Sequence, residues 1–81
     1  MRNRDDARAE QIANLDPAIQ LRPDRAYYYE TRAGYRIGLH QFENALADLD
    51  RDIALTPRPY AYFMRGLVLR QNGQIARASA G

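Results

Sequence analysis

Eighty-one residues with twelve basic and ten acidic side chains, at a formal net charge of +2, make one small folding unit with no room for a second core. All twelve cations are arginines and cysteine is absent, which excludes lysine Schiff-base and P-loop chemistry, thiolate nucleophiles, disulfides and cysteine-based zinc sites. Hydrophobic residues make up 46% of the chain with only five Gly and four Pro, so it is expected to fold rather than stay disordered.

The amino-terminal residues Met1-Arg2-Asn3-Arg4-Asp5-Asp6 are polar and charged, without the apolar stretch of a secretory signal. Residues 1–9 read as a flexible tail, and the default compartment is cytoplasmic. No charge-free run such as 37–42 or 59–64 exceeds six residues, far short of the ~20 apolar residues of a membrane span, so no membrane partner is expected.

Residues 10–23 read as half of a repeated unit, because the segment from Ile12 to Pro23 lies over the segment from Leu46 to Pro57 at an offset of 34. Pro17 falls inside it, and an interior proline costs ~3 kcal/mol of helix stability, so a break or kink is expected at Asp16-Pro17. Asp16 could instead cap a short new helix with Pro17 in its first turn. The next unit spans 24–57. Asp24 is a candidate N-cap for a helix over 25–37 that Gly38 can close, and Phe42, Ala45, Leu46, Leu49 and Ile53 then form an apolar stripe on a second helix of about 14 residues. Thr56-Pro57 ends it. In residues 58–81, Pro59 suits the first turn of a third helix running to about Asn72, Gly73 supplies a left-handed turn, and a truncated fourth helix starts near Gln74.

A second self-match sets Tyr29, Arg32, Ala33, Phe42 and Ala45 over Tyr62, Arg65, Gly66, Ile75 and Ala78 at an offset of 33. Together these positions resemble the tetratricopeptide repeat (TPR) family. Its pattern has an early aromatic, a small residue four positions on, an aromatic or aliphatic opening the second helix, a small residue three later and a final proline. Tyr29, Ala33, Phe42, Ala45 and Pro57 carry one repeat, and Tyr62, Gly66, Leu69, Gly73, Ile75 and Ala78 most of the next. His40 stands where the family prefers a turn glycine and Arg36 where an aromatic is common. The resemblance implies an all-α fold, a short α-solenoid of about two and a half helix-turn-helix repeats, with an apolar end exposed where the stack is incomplete.

For function the resemblance implies a non-catalytic protein–protein interaction module, a scaffold whose helix-A groove and apolar end bind a partner segment or another copy of the chain, forming an oligomer, or pack on adjoining repeats of a longer protein. The residues it maps to that surface are Tyr27, Glu30, Gly34 and Ile37, then Tyr60, Phe63, Met64, Leu67 and Arg70. Aromatics at helical spacing also serve as ordinary core. The lysine and asparagine with which the family clamps a terminal carboxylate are absent, since those positions read Glu30, Gly34 and Met64.

The alternative is an arginine and tyrosine surface for nucleic acid or another polyanion, built on Arg25, Arg32, Arg58 and Arg65. A net charge of +2 weighs against it, and pairing of Arg32 and Arg65 with Asp48, Asp50 and Asp52 on the adjacent helix is the plainer expectation. Asp48 and Asp52 share a helix face while Asp50 points elsewhere, and no calcium-loop glycine follows, so no metal is implied. His40 has no second His and no matched nucleophile and acid, so no catalysis and no cofactor are expected.

Overall fold

The computed structural model describes the backbone of residues 3–80 and the side chains of 3–78; Met1 and Arg2 of the expected tail, and Gly81 at the other end, lie outside the described residues. Among the described residues the structure is all-helical: α1 is Arg4–Leu21, α2 Ala26–Gly38, α3 Phe42–Leu55 and α4 Pro59–Ala80. Packing follows chain order, α1 on α2, α2 on α3 and α3 on α4. Three short connections therefore join successive packed helices. The result is a slab of 43 × 38 × 17 Å.

Helix α1 corrects the expected tail and break. Asn3 caps it, accepting a hydrogen bond from the Asp6 N–H at 2.8 Å, while Asp5 and Asp6 place negative charge in the first turn. Arg8 pairs with Asp5 at 3.1 Å. These local interactions order residues that a composition reading assigns to a tail. The helix runs on through Pro17, and Arg22 N–H still bonds Ala18 O beyond it. Nothing in α1 is buried, so the helix rests on α2 through half-buried side chains such as Ile12, Leu15 and Ile19. Its approach to the end of α2 is close at Gly38, where a Cβ would run into the Arg8 guanidinium.

Helix α2 begins at Ala26 with no side-chain cap, which corrects the expected role of Asp24. The Asp24 carboxylate faces Arg22 instead, at 3.3 Å, and that hydrogen bond holds it below the ordinary carboxylate range. The other end of α2 closes as the sequence suggests. Gln41 N–H bonds Arg36 O at 2.8 Å and His40 N–H bonds Ile37 O at 3.0 Å, the reciprocal pair of a Schellman motif. His40 takes the left-handed position, φ 58°, where a glycine would be unstrained, and its ring stacks on Phe42 at 5.4 Å.

The core lies where α2, α3 and α4 meet: Ala33, Phe42, Ala45, Leu49 and Val68, with Ile37, Leu46 and Met64 packed against it. In α3 the buried residues Phe42, Ala45, Asp48, Leu49 and Asp52 recur at helical spacing, so one stripe faces inward. Alanines at 33, 45 and 61 are buried, and their small side chains let the helix axes approach. Helix α4 buries Ala61 and Val68 and continues to Ala80 without interruption. No glycine among the described residues has positive φ, so the expected left-handed turn at Gly73 does not form and residues 74–80 extend α4. Gly73 costs a helix only about 1 kcal/mol relative to alanine, too little to stop one whose neighbours favour it.

Candidate functional site

Beneath the surface that the sequence nominates lies a carboxylate–guanidinium network that sets its geometry. Asp48 in α3 is buried and accepts from Arg32 Nε and Nη2 at 3.0 and 2.7 Å and from Arg36 Nη1 at 2.8 Å. Arg32 reaches back with Nη1 to Asp16 of α1 at 2.9 Å, so one guanidinium joins three helices. The hydrogen bond from Arg32 to Asp48 raises the guanidinium pKa above its ordinary value and keeps it charged. Asp52, one helical turn after Asp48, is fully buried and receives Arg58 Nη2 at 3.1 Å. The same Nη2 bonds Glu30 of α2. Asp50 points outward, as its spacing requires, and pairs with Arg65 Nη1 at 3.1 Å.

Glu30 is thus part of the internal clasp rather than a free groove acid. Loss of water around it, then the facing Asp52 carboxyl, push its pKa up, and Arg58 offsets this in part. Asp52 Oδ2, Arg36 Nε and Arg58 Nε are buried with no hydrogen-bond partner. The network is therefore incompletely satisfied, which makes it sensitive to changes at any member.

The other nominated residues divide. Ile37 and Met64 pack against the core. Tyr27 is exposed on α2, its ring 6.3 Å from that of Tyr28, and Gly34 is exposed further along the same helix. On α4, Phe63, Leu67 and Arg70 line one shallow depression together with Tyr62 and Gly66. Phe63 is 65% exposed and Tyr60, one turn earlier, is 54% exposed. Leu69 and Ile75 are open as well. Tyr60 and Phe63, one turn apart, leave an apolar area on one face of the helix that a packed neighbour would ordinarily cover, while Leu69 is open on the opposite side from Tyr60.

Two adjoining hollows were not foreseen. One is lined by His40, Gln41, Phe42, Glu43, Asn44, Asn72 and Ile75, the other by His40, Phe42, Gln71, Gln74, Ile75 and Ala78. Both exist because α4 continues past Gly73 and stands its last turns beside the α2–α3 connection. The signal for them was the absence of any strong helix stop at Gly73.

Among the described residues no group of three or more His, Asp or Glu is placed to hold a metal ion. His40 is exposed and stacked on Phe42, with no nucleophile in hydrogen-bond contact. The guanidiniums of Arg32, Arg58 and Arg65, three members of the nominated polyanion surface, are engaged by carboxylates. No helix among the described residues is long and apolar enough to cross a membrane. No family model, no curated protein and no solved structure matches the chain.

Proposed function

We propose that this chain is a tetratricopeptide-like module with a binding rather than a catalytic role, engaging a protein segment or a second copy through the outer face of α4. The observation that supports this reading most directly is the exposure of Tyr60 and Phe63 one turn apart on a single helix, with Phe63 lining a shallow depression beside Leu67 and Gly66. An apolar helical face with flanking arginines suits an amphipathic helix or an extended segment of a partner, which would gain roughly 25 cal/mol for each Å² of apolar surface it covers. Three features support the repeat assignment: packing that follows chain order, small residues at the helix contacts and the left-handed residue at His40.

Light scattering behind size-exclusion chromatography, over a wide range of concentration, tests the role of this face together with circular dichroism. The expected result is a helical assembly whose mass falls on dilution, or a helical monomer that gains mass with a partner segment. Replacing Phe63 and Leu67 with Ser should suppress either association while leaving the helical signal intact, since neither is part of the buried core. Association unchanged in the double variant would refute the assignment of this face.

A further inference from the structure

The contacts around Arg32 and Arg65 recur at the 33-residue offset. Arg32 lies over the Tyr29 ring at 5.9 Å, and Arg65 over the Tyr62 ring at 5.3 Å. Arg32 Nη1 bonds an aspartate of the preceding helix, Asp16, and Arg65 Nη1 likewise bonds Asp50 of the helix before it. Asp16 and Asp50 are themselves equivalent at the 34-residue offset.

The correspondence stops on the other side of each arginine. Arg32 Nε and Nη2 grip Asp48 of the following helix, whereas among the described residues Arg65 has Asp50 as its single carboxylate partner. The apolar neighbours tell the same story. Tyr29 is 8% exposed and Ala33 fully buried beneath the packed helices, while their equivalents Tyr62 and Gly66 are open, Tyr62 at 47%. Leu69, equivalent to the half-buried Arg36, is 53% exposed. The flank of α4 that matches the α3-covered flank of α2 is bare, and it carries a guanidinium edge that in α2 is matched by a carboxylate.

We infer that the Tyr62–Gly66–Leu69 flank of α4 receives an amphipathic helix of a partner that carries an aspartate, with the carboxylate meeting Arg65 Nε and Nη2. This rests on the interaction reading above and adds the chemistry of the partner. The fitting helix has the order of α3 itself, a small residue over Gly66, then an aspartate three positions on followed by leucine, as in Ala45, Asp48 and Leu49. A bidentate guanidinium–carboxylate pair at a partly covered site selects for both charge and shape. An uncharged isostere keeps the shape and loses the charge.

The test uses the whole chain and a synthetic peptide of its own residues 40–57, blocked at both ends, in its native form and with Asp48→Asn. Binding is followed by chemical-shift changes at Tyr62, Gly66 and Leu69 and by titration. The native peptide is expected to bind about tenfold more tightly than the Asn form, the scale of a charge-assisted hydrogen bond. In the Arg65→Gln protein the two peptides should bind alike. Its fold should survive, because the one carboxylate partner of Arg65 among the described residues is the exposed Asp50, and circular dichroism checks this. Equal binding of both peptides to the unaltered protein would overturn the inference, as would shifts centred on Ala33 and Leu49, which would mean that the peptide displaces α3. If neither peptide binds while the Phe63 and Leu67 substitutions still abolish association, the flank inference fails and the interaction reading stands. If no association of any kind is seen, both fail.

Discussion

Asp48 carries more of this fold than its size suggests. It is nearly inaccessible and satisfies two arginines, and its loss would leave both guanidiniums facing a desolvated gap. Breaking a buried pair by removing one partner costs about 3–5 kcal/mol, a large part of the roughly 4–12 kcal/mol available to a chain of this length. Asp48→Ala is therefore expected to lower the urea midpoint by about a quarter or more, and to unfold the protein if its stability lies at the low end of that range, while Asp50→Ala, at an exposed pair, should change stability by less than about 1 kcal/mol. Similar midpoints for the two variants would show that the network is not structural. Glu30 adds a dependence on pH. Its folded pKa lies above the ordinary 4.5, so the folded state holds this proton to higher pH than the unfolded chain does. Its contribution to stability is complete below about 4.5 and declines as pH rises through the raised folded value. Protonated, Glu30 can donate to the buried Asp52; ionised, it sets a second carboxylate against it. Urea unfolding of the parent and of Glu30→Gln across pH 4 to 7 should show a less negative slope in the variant, and parallel slopes would exclude the effect.

At the scale of elements, α4 is where local signals and tertiary outcome part. Gly73 lies within a helix, and nothing comes within 4 Å of the position its Cβ would take. Gly73→Ala should then raise stability by about 0.5–1 kcal/mol by removing backbone freedom from the unfolded chain. A left-handed turn there would give the opposite sign, so thermal unfolding of this single variant decides between the two conformations. The sequence made α2 and α3 legible because apolar spacing, a stop at Gly38 and the Thr56-Pro57 ending agreed. It misplaced the ends because single-residue signals, about 1 kcal/mol at Gly73 and about 3 kcal/mol at Pro17, are small beside the interactions of a whole helix. Asp24 was available to Arg22, Pro17 was tolerated in a helix with no buried face, and Asn3 capped a segment whose composition looks unstructured. The exposed positions of Tyr60 and Phe63 on α4 were readable as an apolar surplus on one helix. Glu30 was not readable as a clasp residue, because its partner Arg58 sits 28 positions away in a connection.

For the molecule as a whole, packing in chain order means that stability need not be uniform. The buried apolar side chains come from α2, α3 and the first half of α4, and none comes from α1. What ties α1 to the rest is half-buried contact and the Asp16–Arg32 pair, whose acidic member is half exposed. Pro17 removes one internal hydrogen bond from the same helix. Such a helix is expected to open at a free energy well below that of global unfolding, while the helices that hold the core open only with it. Native-state amide exchange should therefore give a gradient. Amides of Leu49 and Val68 are expected near the global limit, those of Ile12 and Leu15 several kcal/mol lower, and those after Gly73 lower again than Val68, since residues 74–78 are all exposed. Adding urea should merge the α2 and α3 amides into one isotherm and leave α1 on a separate, shallow one. One isotherm for every amide would mean that α1 folds cooperatively with the core, so that its half-buried contacts and the Asp16 pair bind it as strongly as the α2–α3 interface binds the rest.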